Sequence, residues 1–255
     1  MKKSRLFLLS CVALQACVFA DKPTFSVKQK GNTTQISSNQ DVVSFSSNFS
    51  KEAIAELKKQ GCKGLSKLPK GAFEKLVQEQ NYIEALKSIW AEDNLTHVIS
   101  TLEPYAKEGH AIIMLELSRT FCRKMATEKS YPEESLKTAF QWYALGLHIT
   151  HLDIDCNQDP STEGAYGMLR QVYHPSHYIP QDLINKMLPP IFRQTIKDYK
   201  LSSNLPSPGW VLPHGLAAMR GENKLLPKSQ WNDRRAKCLE MALKLIAEAE
   251  SKKAS

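Results

Sequence analysis

From residue 53 onward, apolar side chains recur at intervals of three and four, the spacing that places them on one face of a helix. Ser50 is positioned to cap the first such segment, whose face starts with Ala53, Ile54 and Leu57 before Gly61 and Gly64 break the pattern. Phe73, Leu76, Val77, Ile83, Leu86, Ile89 and Trp90 continue it, with a break near Asn81. Asp93 or Asn94 caps the next segment, whose stripe is Leu95, Val98, Ile99, Leu102 and Tyr105. Pro104 sits inside that stripe, and its missing N–H predicts a bend or a late helix start.

Gly109 supplies a left-handed stop at little steric cost, and a new apolar stripe begins almost at once with Ala111, Met114, Leu115, Ser118 and Phe121. A loop this short predicts antiparallel neighbours. Pro132 opens a further helix, with Glu133 and Glu134 near its positive end and Leu136, Ala139, Phe140, Tyr143 and Leu147 on its apolar face.

This unit resembles a Sel1-like repeat, a relative of the tetratricopeptide repeat. The resemblance rests on Leu102-Glu103-Pro104, Gly109-His110-Ala111, Leu115, Phe121, Tyr131-Pro132, and Lys137 with Ala139, Trp142, Tyr143 and Gly146. It covers roughly residues 95–150, and the segment NYIEALKSIWAE is similar to a repeat helix more weakly. Residues 123–130 hold no glycine, whereas such a repeat usually has glycines between its helices, so that loop departs from the pattern. The resemblance implies an all-α protein: antiparallel helix hairpins in a short right-handed stack with a concave, protein-binding or peptide-binding face. Stacking needs about three units before a core closes, so the remaining helices must serve as neighbours or caps.

Beyond residue 150 the repeat pattern fades. Ser161 is a candidate cap for a helix holding Tyr166, Leu169 and Val172, and HPSHYIPQ reads as a turn-rich connection. Asp182 opens a helix that Pro189-Pro190 should interrupt before a second piece from Ile191 to Tyr199. Pro206, Pro208 and Pro213 mark a loop in which Trp210 is expected to plug the end of the core. Ser229 caps a last helix holding Trp231, Cys238, Leu239, Ala242, Leu243 and Ile246.

The first fifty residues differ in kind. MKKSR carries three positive charges, and fifteen uncharged residues follow it, a signal-peptide pattern. Val18-Phe19-Ala20 offers one processing site, leaving Asp21 first. Leu14-Gln15-Ala16-Cys17 resembles a lipoprotein box, in which Cys17 would carry the lipid, although Gln15 is unusual there. Residues 21–50 are rich in Ser, Asn, Gln and Thr and read as an irregular segment with a marginal hairpin about Gly31-Asn32. The expected organisation is a signal peptide over 1–20, a flexible or weakly β segment over 21–50, and a helical domain over 51–200. A Pro-rich loop over 201–228 and a C-terminal helix over 229–251 complete it.

Composition places the 255 residues among ordinary globular chains, at 42% hydrophobic and 24% charged. Three of the eight net positive charges belong to Lys2, Lys3 and Arg5, so the rest is only mildly basic. The lysines gathered between Lys51 and Lys75 read as a solvated helix face, and nothing resembles a nucleic-acid-binding motif. An exported chain keeps disulfides, so Cys62, Cys122, Cys156 and Cys238 are expected to form two bridges, with three pairings open.

The candidate chemistry is sparse. His148 and His151 lie three apart with Asp155 beyond them, all zinc-type ligands, against the plainer reading of a helix end followed by a turn. His174 and His177 flank a turn and form a weaker pair. No GxSxG, HExxH or phosphate-cradling glycine loop occurs, and no cofactor is expected. Tyr143 belongs to the core spacing, whereas Trp142, Arg119 and Gln141 are the candidates for a partner-binding surface. The reading is therefore an interaction module for another protein in the cell envelope, periplasmic or anchored to the outer membrane through lipidated Cys17. The competing reading is an envelope enzyme or metal-binding protein using His148, His151 and Asp155, and a third is a purely structural lipoprotein.

Overall fold

The computed structural model describes residues 25–30, 33–38, 59 and 61–254. The expected signal peptide, Cys17, the Ser50 cap and the helix start expected at Ala53 lie outside them. The described residues are mostly helical. Phe25–Lys30 (β1) and Thr33–Ser38 (β2) pair antiparallel, with Val27 opposite Ile36. The helices are Ala72–Gln78 (α1), Tyr82–Trp90 (α2), Leu95–Lys107 (α3), Ala111–Glu128 (α4), Glu133–Ile154 (α5), Glu163–Val172 (α6), Gln181–Asp198 (α7), Leu216–Met219 (α8) and Lys228–Ala254 (α9).

Local chemistry accounts for several boundaries. Asn81 and Asn94 cap α2 and α3, their side chains accepting from the N–H groups of Glu84 and His97. Ser161 does not cap α6. Asp159 caps the short turn before it, accepting from Ser161 N, while Ser161 Oγ accepts from Leu216 N at 2.6 Å. Ser229 likewise falls inside α9, which begins one residue earlier.

Proline placement differs from expectation in one helix. Pro104 lies within α3 and does not delay its start, which falls at Leu95. The Pro189-Pro190 pair does not interrupt α7, which runs unbroken from Gln181 to Asp198. Both prolines are exposed, and so are Asn185 and Lys186, whose carbonyls lose their partners to water. Buried Ile184, Leu188 and Ile196 anchor the helix on either side of the pair.

α4 and α5 form the centre. Every residue from Ala111 to Thr120 is buried, so α4 has no solvent face over its first ten residues. α5 makes its most extensive contact with α4 and also packs on α6, α7, α9 and the turn at Pro208–Val211. Gly146 permits the close approach of α5 to α4: a Cβ there would lie 2.8 Å from Leu115 Cγ. Ser118 Oγ donates to the Ala139 carbonyl at 2.7 Å across the same contact.

Gly109 adopts φ +99° between α3 and α4, and its bare Cα lies beneath the loop that follows α7. A Cβ would lie 2.6 Å from Leu205 Cδ2 and 3.2 Å from Pro206 Cδ. Gly71 also has positive φ, at +77°, but open space around it. Gly71→Ala is expected to cost about 1 kcal/mol, the left-handed strain alone. Gly109→Ala is expected to cost about 2–3 kcal/mol, because overpacking adds to the strain. Urea unfolding of the two variants measures the difference.

Candidate functional site

The Asp153 carboxylate, near the C-terminal end of α5, joins distant parts of the chain. Its Oδ1 accepts from Arg235 of α9 at 2.6 Å, and its Oδ2 accepts from the Trp210 indole N–H at 2.7 Å. Arg235 also donates to the Pro206 carbonyl at 2.8 Å. Both charged groups are buried. Burial pushes the Asp153 carboxyl up, while Arg235 and Trp210 pull it back, leaving it at about 6 and ionised at neutral pH. Trp210 thus sits where a plug was expected, and its N–H fixes the carboxylate as well.

A second buried pair lies within α4. Arg119 meets Glu116 at 3.3 Å, with the guanidinium over the rings of Trp90 and Tyr173 at 5.3 and 5.8 Å. Burial raises the Glu116 carboxyl, and Arg119, Trp90 and Tyr173 oppose that shift. Arg119 is therefore a core residue and not part of a binding face, a correction to its sequence assignment.

Trp142 and Gln141 do face an open groove. It has a volume of about 720 Å³ and lies between α5 and α7, with Glu103 of α3 at its edge. α5 contributes Lys137, Gln141, Trp142 and Leu145; Pro190, Ile191, Gln194 and Asp198 of α7 stand opposite. Tyr199 and Lys200 also line it. Trp142, Leu145 and Ile191 give the lining apolar surface, while Lys137, Lys200 and Asp198 set charges around it. Lys107 pairs with Glu103 at 2.8 Å, and Gln194 Nε2 donates to Asp198 at 2.8 Å. The α7 wall was not legible in the sequence, because the double proline suggested a broken helix there.

Tyr199 connects this groove to the polar interior. Its ring meets His148 edge-on with centroids 5.2 Å apart, and burial raises its hydroxyl to about 12. His148 is buried, and burial lowers its pKa to about 4, so it is neutral at physiological pH.

The proposed metal ligands are not assembled. His148 packs on Tyr199, His151 is exposed with its ring against Tyr166, and Asp155 lies 3.9 Å from Arg234. Among the described residues, no group of three His, Cys, Asp or Glu side chains could hold a metal ion. His174 Nδ1 accepts from Ser176 N, and His177 Nε2 bonds to the Gln171 carbonyl, so each is engaged locally.

The expected disulfides are also absent: Cys62, Cys122, Cys156 and Cys238 are free thiols. Cys156 Sγ donates to the Leu152 carbonyl, and Cys238 Sγ lies 3.4 Å from His151 Nδ1. Burial raises both thiols to about 11, which keeps them protonated and poorly nucleophilic.

No family model, curated protein or solved structure matches this chain.

The Asp153–Arg235 pair and the neutral His148 each set an expected outcome. Asp153→Asn leaves Arg235 buried without its counter-charge and is expected to lose about 3–5 kcal/mol of unfolding free energy. Arg235→Met in that background should cost much less than it does alone, and a double-mutant cycle in urea reads the coupling.

His148 sets the second. Its pKa is about 4 when folded and 6.5 when unfolded, so the unfolded chain binds the extra proton between those values. The contribution is complete above pH 6.5 and lost as pH falls toward 4, an effect of about 3 kcal/mol. Asp153, raised to about 6, acts in the opposite sense over an overlapping window. His148→Phe, which retains a ring against Tyr199, should therefore lose less stability than the native chain between pH 7.5 and pH 4.5.

Proposed function

We propose that this chain is an exported helical interaction module, and that it grips a segment of another envelope protein in the groove between α5 and α7. The observation that carries this reading is the half-buried indole of Trp142 in that groove, with Gln141 beside it and Ile191 opposite. A tryptophan within an apolar strip and a charged surround is the usual composition of a protein-binding anchor. Lys137 and Lys200 would meet acidic groups flanking such a segment, and Asp198 a basic one.

The helical hairpin from α3 through α5 is proposed to be of the Sel1-like kind. Gly109 at the α3–α4 turn and Gly146 at the α4–α5 contact support this, since both glycines belong to the residues that carry the resemblance. Export is proposed from the basic MKKSR followed by its uncharged run, with Cys17 as the site of lipid attachment to the outer membrane. No helix among the described residues is long and apolar enough to cross a membrane.

The test is crosslinking in the native envelope followed by mass spectrometry. A reproducible partner is expected, and Trp142→Ala should weaken its binding by roughly thirtyfold, the size of a hot-spot truncation. Capture that is unchanged in Trp142→Ala and in Ile191→Glu would remove the groove from the reading.

A further inference from the structure

The positive charge of this chain is concentrated in one short segment. Residues 51–75 hold seven lysines against three glutamates, a net of +4, whereas residues 76–255 hold equal numbers of basic and acidic side chains. The greater part of the helical body is thus neutral as a whole, and the basic character belongs to the residues that lead into it.

The described lysines of this segment do not form a helix face. Between Gly61 and Gly71 the chain contains a single 3-10 turn, Leu65–Lys67, flanked by irregular backbone. Lys67 N donates to the Gly64 carbonyl at 2.9 Å, and Ala72 N donates to the Pro69 carbonyl at 3.0 Å. The chain therefore turns twice, which keeps Lys63, Lys67 and Lys70 on one short stretch of surface. All three are exposed, and none forms an ion pair with another described residue. The stretch is also fixed from beneath. Leu65 is buried in the core, and Ser66 N donates to the buried Glu92 carboxylate at 2.9 Å. Gly64 lies so close that a Cβ there would stand 3.0 Å from Glu92 Oε2.

We propose that Lys63, Lys67 and Lys70 form a membrane-contact surface, which meets the anionic headgroups of the bilayer that holds Cys17. The inference rests on the export and lipid attachment proposed above. Cys17 precedes Lys63 by 46 positions, so an acyl group there keeps this segment at high local concentration beside the lipid. An acyl group at one end of the chain fixes no orientation of the helical body. Lysines anchored on one side of the body do, because their attraction to an anionic surface acts only within about a Debye length of it.

Co-sedimentation of unlipidated residues 21–255 with vesicles tests this, with circular dichroism confirming that each variant folds. The chain should bind vesicles of phosphatidylglycerol with phosphatidylethanolamine, come off as salt rises, and leave vesicles of phosphatidylcholine alone. Replacing Lys63, Lys67 and Lys70 together by Gln should weaken binding by roughly a hundredfold, about fivefold for each lysine. Replacing the three by Arg should preserve it. Gln at Lys186, Lys224 and Lys228, which are exposed lysines elsewhere, should change it little. No binding to the anionic vesicles at low salt overturns the proposal, and so does an equal loss in the two Gln triples. Retention on heparin without vesicle binding also overturns it, since the lysines then meet an acidic polymer instead. The anchor is tested apart from this: in cells, Cys17→Ser should let high salt strip the chain from the membrane fraction. A Cys17→Ser chain that resists salt removes the lipid attachment, whatever the vesicles show.

Discussion

Arg235 carries a charge that it cannot shed, and α9 brings that charge into the interior, where only 1% of the residue meets solvent. The arrangement is tolerable because Asp153 is already there, held by Trp210 from another part of the chain. One carboxylate thus fixes the positions of α5, α9 and the loop from Pro206 to Val211 at once. An apolar contact would tolerate sliding between these parts. A bidentate acceptor with two donors at 2.6 and 2.7 Å does not. The loop is in turn pressed onto Gly109, so the sharp turn between α3 and α4 is covered by residues nearly a hundred positions later in the chain.

The Glu116–Arg119 pair solves a related problem inside a single helix. α4 is surrounded over its first ten residues, and a charged residue there has no route to water. The two charges lie three positions apart, so they meet on one face, and Trp90 of α2 and Tyr173 at the end of α6 cover the guanidinium. Buried pairs of this kind contribute little net stability compared with well-packed apolar residues. Their effect is to exclude alternative packings, because any shift of α2 or α6 along α4 would leave a charge without its partner.

Between these two fixed points the molecule presents its surfaces. The groove lies where α7 stands off from α5, and its far wall exists because the double proline leaves the helix intact. Tyr199 lines the groove and also packs on His148, so one ring links the groove to the polar interior. The orientation of α9 follows from the same arrangement, because Arg235 and Cys238 face inward, and farther along the helix Met241 and Leu245 are exposed.

Much of the helical skeleton was legible from local chemistry. The apolar spacing, the break near Asn81, a cap at Asp93 or Asn94 and the stop at Gly109 act through neighbours in sequence, so they are readable without a fold. Trp142 and Gln141 line the groove because helical spacing separates them from buried Tyr143. Arg119 was misplaced for the opposite reason. Its burial depends on Glu116, Trp90 and Tyr173 converging on it, and only Glu116 is near in sequence. The disulfide expectation failed likewise: cysteine number is a property of the sequence, but the direction of each thiol is set by packing, which aims Cys156 at Leu152 and Cys238 toward His151. The sequence by itself determined which segments are helical and which face of most of them is apolar, because those are effects of near neighbours. Only the tertiary structure decided which charges are buried, which prolines a helix absorbs and where a groove opens, because each depends on groups that approach from far along the chain.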